Sequence, residues 1–468
     1  MTAIDARLAA LRERLLRPID AAGLALFRIG FGALLLVAVL RFFAHGWIAE
    51  YFLQPTHFFS YWGFAWVKPW PGPFMYVHFA CMGLCALGIL LGYRYRASVL
   101  GFGALFAYAH LIDKTNYLNH YYLVVCLCGL MALLPLHATW SLDARRDPRL
   151  ARAELPAWML WTLRAQFAVV YVFGGVAKLK PDWLLSAQPL SIWLGRHTDV
   201  PVLGGLFATP WAAHAMSWAG ALFDLAIVPL LLLRRSRPFA YVAVVAFHLL
   251  TARLFQLGMF PYIMMFGSLL FLPPSWPRRV AARLGLVRWR AESAGEPTPL
   301  ARPRWVWPAL SVYFALQLLL PLRHLLYPGS VCWTEQGYRF SWNVMLMEKN
   351  GSVDFRVVEP STGRTFRASA LDYFTRYQAK MMAPQPDMVL QAAHVVAADF
   401  RARGVRAPAV YVDAFASLNG RAMQRLIDPH ADLARATDEL SNKPWILPMK
   451  THQAGRQVGA AALAWSSE

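Results

Sequence analysis

The stretch Tyr171-Val-Phe-Gly-Gly-Val-Ala-Lys-Leu-Lys-Pro-Asp-Trp183 decides the fold. It ends an apolar run that begins at Pro156, carries the pair Gly174-Gly175 just before Lys178, and is closed by Pro181 and Trp183. A run from Pro156 to Lys178 is long enough to cross about 30 Å of hydrocarbon as a helix. A lysine at the rim of such a helix has two readings. It is an interfacial anchor whose ammonium reaches for water, or a reactive amine sheltered by protein.

The rest of the chain has the same character. Of 468 residues, 57% are hydrophobic, with 19 Trp, 29 Phe and 18 Tyr, more apolar surface than a soluble chain readily hides. Hydropathy predicts about nine helical spans. They are Ala22–Ala44, Phe74–Gly92, Ala97–Ile112, His120–Pro135, Pro156–Lys178, Trp211–Leu233, Phe239–His248, Leu257–Pro273 and Trp305–Leu326. The third, fourth and seventh are short or interrupted, which predicts tilt or ends covered by protein. Met1–Asp20 is polar and arginine-rich, without a signal-peptide pattern, so the first span is expected to direct its own insertion.

The net charge of +20 belongs to this topology. The N-terminal tail, the loop at Arg94 and Arg96, Leu136–Leu155, Arg234–Arg237 and Ser275–Arg304 hold most of the loop arginines. The alternate loops hold only Lys68, Lys114, Lys180, Arg196 and Arg253. The positive-inside rule then places the N-terminus in the cytoplasm, and an odd number of spans places the C-terminal part outside. No nucleic-acid partner is needed to explain the charge.

After Tyr327 the pattern changes. Val353–Val358 alternates, Glu359-Pro-Ser-Thr-Gly363 signals a turn and Thr365-Phe366 resumes the alternation, as in a β-hairpin. Met388–Arg403 has helical spacing and stops at Gly404; Ala409–Ser417 reads as a strand before a tight Asn419-Gly420 turn. The fold expected is mostly α: a polytopic membrane helical bundle over residues 1–326, with a C-terminal extramembrane α+β domain over 327–468. Ala291–Arg302 is a loop rich in Pro, Glu and Ala. Cys81, Cys85, Cys126 and Cys128 lie in spans and read as small buried residues, and no metal site is expected.

Topology gathers Lys178, Asn119, His120 and Arg253 at one depth under the outer domain. Each also has an ordinary reading. His120 and Asn119 suit a helix start, and Arg253 suits a pair with Asp113 or with lipid headgroups. Arg28 and Arg164, inside spans, are expected to neutralise carboxylates such as Asp224 or to bind backbone carbonyls. Lys180, two residues beyond Lys178, falls about 200° away around a helix.

The motifs Asp113-Lys114-Thr115…Asn119-His120, Val176-Ala177-Lys178-Leu179…Asp182-Trp183 and Leu254-Phe255…Gly258-Met259-Phe260…Tyr262 come in a fixed order. Ser275-Trp276-Pro277-Arg278, Tyr338…Ser341-Trp342 and Gln424-Arg425…Ile427-Asp428-Pro429 follow. Together, from about Leu24 to Pro448, the chain resembles the vitamin K-dependent γ-glutamyl carboxylases. Its membrane part is similar to the horizontally transferred transmembrane domain proteins of bacteria.

The resemblance implies a bacterial inner-membrane carboxylase, a carbon–carbon lyase, with its C-terminal domain on the periplasmic side. It would use reduced vitamin K, O2 and CO2, and its partners would be membrane lipid and a glutamate-containing peptide or protein. Lys178 would be the base that deprotonates the hydroquinone, His120 would handle the glutamyl carbanion, and Asn119 would orient or stabilise charge beside it. Tyr338 to Trp342 would belong to the glutamate-binding region, with Arg253 and Arg425 as further substrate-binding candidates. An amine acting as a base must be neutral, a state that burial favours. The chain departs from the animal enzymes at Ala177, where they have a second lysine, and near Met347, where they have a histidine. Its C-terminal domain is shorter than theirs, and their disulfide and a propeptide site like theirs are not expected.

Two other readings fit the same residues: a quinol-oxidising membrane enzyme with another carboxylation substrate or none, and a non-catalytic membrane binding protein with Lys178 as anchor. The predicted topology is checked with single cysteines at Ser236, Ala294 or Asn419 in a chain lacking the native ones. On intact cells a membrane-impermeant thiol reagent is expected to label the Asn419 site alone; labelling at Ser236 or Ala294 reverses the orientation.

Overall fold

A computed structural model describes residues 3–201, 203–255, 257–285 and 305–450. Helices occupy all nine predicted stretches: Ala22–Ala44, Phe74–Leu91, Tyr95–Ile112, Asn119–Leu133, Ala157–Ala177, Pro210–Leu232, Arg237–Leu254, Phe260–Ser268 and Val306–Leu319. Five of them, the first, second, fifth, sixth and ninth, the last extended to Leu326, are long and apolar enough to cross a membrane. The fourth and eighth are shorter apolar helices. The loop Ala291–Arg302, with Ala294, lies outside the described residues.

Close backbone approach and buried arginine hold the bundle together. A Cβ on Gly32 would lie 2.4 Å from the Leu90 amide nitrogen, so the first and second spans touch along their main chains. Arg28 is fully buried in the first span. Its guanidinium donates to the carbonyls of Ile89 (2.7 Å), Leu90 (2.7 Å), Leu136 (3.1 Å) and Trp140 (2.5 Å). It thus satisfies acceptors left open where the second span ends, with a cation at the negative end of the helix dipole. Arg164 likewise donates to the Leu270 carbonyl at 2.9 Å. Of the two roles expected for these arginines, binding carbonyls is the one observed. Across the same end, Asp143 accepts from the backbone N–H groups of Arg94 and Tyr95, both at 2.8 Å, and caps the third span. Two short strands, β1 (Pro18–Asp20) and β2 (Glu154–Pro156), pair antiparallel beside it.

The C-terminal domain is built on β3 (Lys349–Val358), β4 (Thr365–Ser369), β5 (Ala409–Leu418) and β6 (Gln424–Arg425), antiparallel in the order β4-β3-β5-β6. β3 and β5 pair along their length, from Lys349↔Leu418 to Val358↔Ala409. The expected hairpin, the helix (Pro386–Ala402) and the second long strand all form. Asn419 and Gly420 turn with φ of 52° and 78°. Asn419 is buried, so the exposed Ala422 is the better outer labelling position.

The domain shares a core with the bundle rather than standing on the ninth span alone. Phe59, Trp183, Leu190 and Ala221 from the membrane part pack with Trp333, Leu346, Phe355, Met388 and Ile427. Conversely, Trp342 packs into the membrane core. Polar bonds fix the junction. Asp387 accepts from Lys114 Nζ (2.8 Å) and Arg339 Nη1 (2.7 Å). Gln378 donates to Asp113 at 2.7 Å, and Asp182 accepts from Arg421 at 2.5 Å. Burial raises Asp113 above the usual carboxyl range, against its bonds from Thr115 and Gln378. At Asp387 burial acts upward too, but Arg339 and Lys114 outweigh it and hold the carboxyl far below that range.

A carboxyl lowered on folding stabilises fully above its unfolded value near ~3.9 and loses that contribution as pH falls toward the folded value. Asp387→Asn strands two buried cations, and a loss of about 3 kcal/mol is expected. Thermal unfolding of the full chain in detergent measures it, and the loss should be the same from about pH 6 to 8 because Asp387 is ionised throughout.

Candidate functional site

Lys178 is the residue that ends the fifth span. The chain turns there, and its side chain folds back along the helix. Nζ donates to the Gly174 carbonyl at 3.2 Å and to Asp224 Oδ2 at 2.6 Å. Nζ also stands 5.4 Å from the centre of the Trp183 ring. Both side chains of the pair are nearly buried, 8% and 10% exposed, so this is a protein-enclosed pair and not a snorkelling ammonium. A Cβ on Gly175 would lie 3.1 Å from the Leu225 amide nitrogen, so glycine here lets the fifth and sixth spans approach next to the pair.

The pair opens onto a small cavity of ≈ 80 Å³. Tyr171, Trp183, Phe247, Phe255, Phe260 and Met264 make its wall largely apolar. His248 adds a second polar point. Tyr171 Oη lies 3.0 Å from His248 Nε2 and 3.2 Å from Ser268 Oγ, forming a short hydrogen-bonded chain in the wall. Val344 and Met345, from the segment that leads into the C-terminal domain, complete the lining. A mostly apolar lining with a few converging polar groups suits an apolar ligand group by its chemistry.

The remaining sequence candidates fall at varied distances from this cavity. His120 is buried in the fourth span but is not in the lining. Its ring packs 6.1 Å from that of Phe260, which in turn lies 6.3 Å from that of His248. Phe260 therefore stands between the two imidazoles. Asn119 is the first residue of its helix, not the cap, and accepts from Tyr117 Oη at 2.9 Å. Arg253 is exposed and absent from the lining. Asp113, its suggested partner, is engaged by Thr115 and Gln378. Arg425 lies on the sheet, paired with Asp413 at 2.7 Å. Tyr338 Oη donates to the Asn343 carbonyl at 3.0 Å, bracing its own loop. Trp342 is fully buried beside Tyr122, with ring centres 5.2 Å apart.

Two residues gain a place that the sequence reading did not foresee. Asp224, taken as a partner for arginine, belongs to Lys178; the usable signal was that Asp224 is the one acidic residue within the nine predicted spans, on the span next to the lysine. Lys180 is not on the far side of a helix, because the helix ends at Ala177. It is extended, and its Nζ donates to Asn343 Oδ1 at 3.2 Å, in the same segment that roofs the cavity.

The family model of the HTTM domain matches residues 16–276, more than half of the chain and the part that holds Lys178, Asp224 and His248. That of the vitamin K-dependent gamma-carboxylase lumenal domain matches residues 302–452. The chain belongs to the vitamin K-dependent γ-carboxylase family. No solved structure matches it significantly. The membership makes this an integral membrane protein with a carboxylase-type function, and reduced vitamin K is the cofactor the family implies.

The position of Trp342 has a direct consequence. Trp342→Ala empties a fully buried site, and a loss of about 3–5 kcal/mol in stability is expected. Unfolding in detergent should show this, alongside reduced activity of every kind. A stable Trp342→Ala protein with only a raised peptide KM places the indole at the substrate instead.

Proposed function

We propose that this protein is a γ-glutamyl carboxylase. It couples oxidation of reduced vitamin K by O2, to the epoxide and water, with addition of CO2 to the γ-carbon of a peptidyl glutamate. The observation that carries this reading is the enclosed Lys178–Asp224 pair at the wall of an apolar cavity roofed by Val344 and Met345. The division of labour follows the expected domains, with residues 1–326 holding the quinol and residues 327–468 the peptide, the latter on the periplasmic side of a bacterial inner membrane.

The lining matches the implied cofactor in chemistry, with aromatic and aliphatic side chains for an apolar ring and Lys178, Asp224 and His248 as partners for two ring hydroxyls. When bound, reduced vitamin K supplies, through its oxidation by O2, a base strong enough to take the glutamate γ-proton. The protein's own task is proton handling and exclusion of water. Lys178 Nζ takes a hydroxyl proton only when it is neutral. Asp224 Oδ2, 2.6 Å away, is placed to hold the proton that Nζ must first give up. The amine and acid thus act as one proton-transferring unit. Tyr171 and His248 add hydrogen-bonding groups to the wall, and the apolar roof keeps out the water that would quench a strong base.

A second reading, quinol oxidation without carboxylation or with another substrate, draws on a separate observation: Phe260 separates His120 from the cavity. The two readings part on whether labelled CO2 enters a glutamyl peptide.

Lys178→Ala and Asp224→Ala are both expected to abolish epoxidation and carboxylation together, at least 100-fold, in purified protein supplied with reduced vitamin K, a glutamyl peptide and labelled bicarbonate. A small amine should partly restore Lys178→Ala, increasingly as pH rises through the amine's own pKa, because only its neutral form accepts a proton. His120→Ala should spare epoxidation more than carboxylation. Lys180→Ala should raise the peptide KM while quinol-dependent O2 uptake continues. If Lys178→Ala carboxylates normally, the assignment of the base is wrong.

A further inference from the structure

The opposite end of the bundle carries a feature that the carboxylase reading does not use. Two adjoining cavities share Ile19, Ala157, Trp161, Pro274 and Ser275. They form one groove where the fifth span begins, the sixth ends, the seventh begins and the eighth segment ends. Six arginines line it: Arg14, Arg17, Arg164, Arg234, Arg237 and Arg279. Its one carboxylate, Asp20, is taken by Arg278, which donates to both oxygens at 2.9 and 3.0 Å. Among the described residues, none of the six lining arginines forms an ion pair with a carboxylate. Gathering six cations around one recess is unfavourable unless an anion joins them.

The setting selects the anion. Arg164 belongs to a membrane helix, and its guanidinium is held at the groove floor by the Leu270 carbonyl and by the faces of Trp161 and Phe271, 5.0 and 5.6 Å away. Exposed apolar side chains adjoin the lining: Trp161 within it, Leu232 and Leu233 directly before Arg234, and Val280 directly after Arg279. A soluble phosphate has no use for such flanks, whereas acyl chains do. We infer that this groove seats the phosphodiester of an anionic phospholipid, with its chains against the apolar flanks. The lipid ties together the far ends of the fifth and sixth spans, the two helices whose other parts carry Lys178 and Asp224.

The test uses the full chain in detergent, incubated with phosphatidylglycerol or phosphatidylcholine and examined by native mass spectrometry for bound lipid. Phosphatidylglycerol should be retained in preference to phosphatidylcholine. The triple variant Arg17→Gln, Arg234→Gln, Arg279→Gln should lower its affinity about 100-fold. The triple Lys variant at the same positions should keep most of it, which separates lost charge from lost folding. Removing equal charge outside the groove, with Arg7→Gln, Arg12→Gln and Arg283→Gln, should have little effect. Equal retention of both lipids, or an unchanged affinity in the Gln triple, overturns the proposal. So does displacement of phosphatidylglycerol by millimolar inorganic phosphate, which assigns the groove to a soluble anion.

Discussion

An ammonium and a carboxylate 2.6 Å apart, both shut away from water, set the terms for this fold. Neither charge is tolerable alone in such surroundings; losing one partner of a buried pair typically costs about 3–5 kcal/mol. The fifth and sixth spans must therefore meet in one register. Gly175 gives them the backbone approach, the Gly174 carbonyl takes a second ammonium proton, and the Trp183 face covers a third side. Trp183 is held in turn, since its indole N–H donates to the Ser217 carbonyl at 2.7 Å while the Ser217 hydroxyl donates back to the Trp183 carbonyl. The pair, its cover and the helix register are one construction, and the cavity is what it leaves open.

The same rule, that polar groups away from water must find partners, explains how the two halves of the protein meet. Lys114 and Arg339 come from different halves and share Asp387. Within the bundle, Arg28 gives its fork to the carbonyls of Ile89 and Leu90, where the second span ends, and of Leu136 and Trp140. The core crosses the junction in both directions, with Trp183 in the outer cluster and Trp342 in the membrane one. An interface so interlocked holds the two halves in a fixed relation, which the proposed coupling of quinol oxidation to carboxylation would require.

The helices were legible because hydropathy reports apolar runs directly; all nine stretches are helical, five of them long and apolar enough to cross a membrane, and the C-terminal hairpin appears where alternation puts it. Lys178 was legible as a candidate from its rim position. Its partner was not, because depth was counted from span ends. The sixth helix starts at Pro210, and its first turns already pack on Trp183 and Leu184. Asp224, deep in its own span, therefore comes level with the end of another. The helical-wheel argument for Lys180 failed for a related reason: it assumed a helix that stops at Ala177. Linear spacing carries no information about either turn. Trp342, which the resemblance puts in the glutamate-binding region, is an anchor fully buried beside Tyr122, a packing that its neighbours in sequence do not announce.

That anchor bears on how a substrate reaches the cavity. Glu335, Phe340, Trp342 and Met345 all have positive φ, between 55° and 65°. Such backbone costs of order 1–3 kcal/mol at each bulky residue and persists only where surroundings enforce it. The enforcement is visible. Phe340 lies against Tyr117 and Tyr122 with Arg323 over its face, and Trp342 is locked beside Tyr122. Asn343 bonds to Ser341 and Lys180. The outcome is that Val344 and Met345 face the cavity, while the polar side chains of the segment serve to hold it in shape. On the carboxylase reading, a glutamyl side chain must approach past an apolar roof that the protein has strained its backbone to present. Excluding water at that point serves the chemistry better than any added polar contact there, because the base to be protected is stronger than water can coexist with.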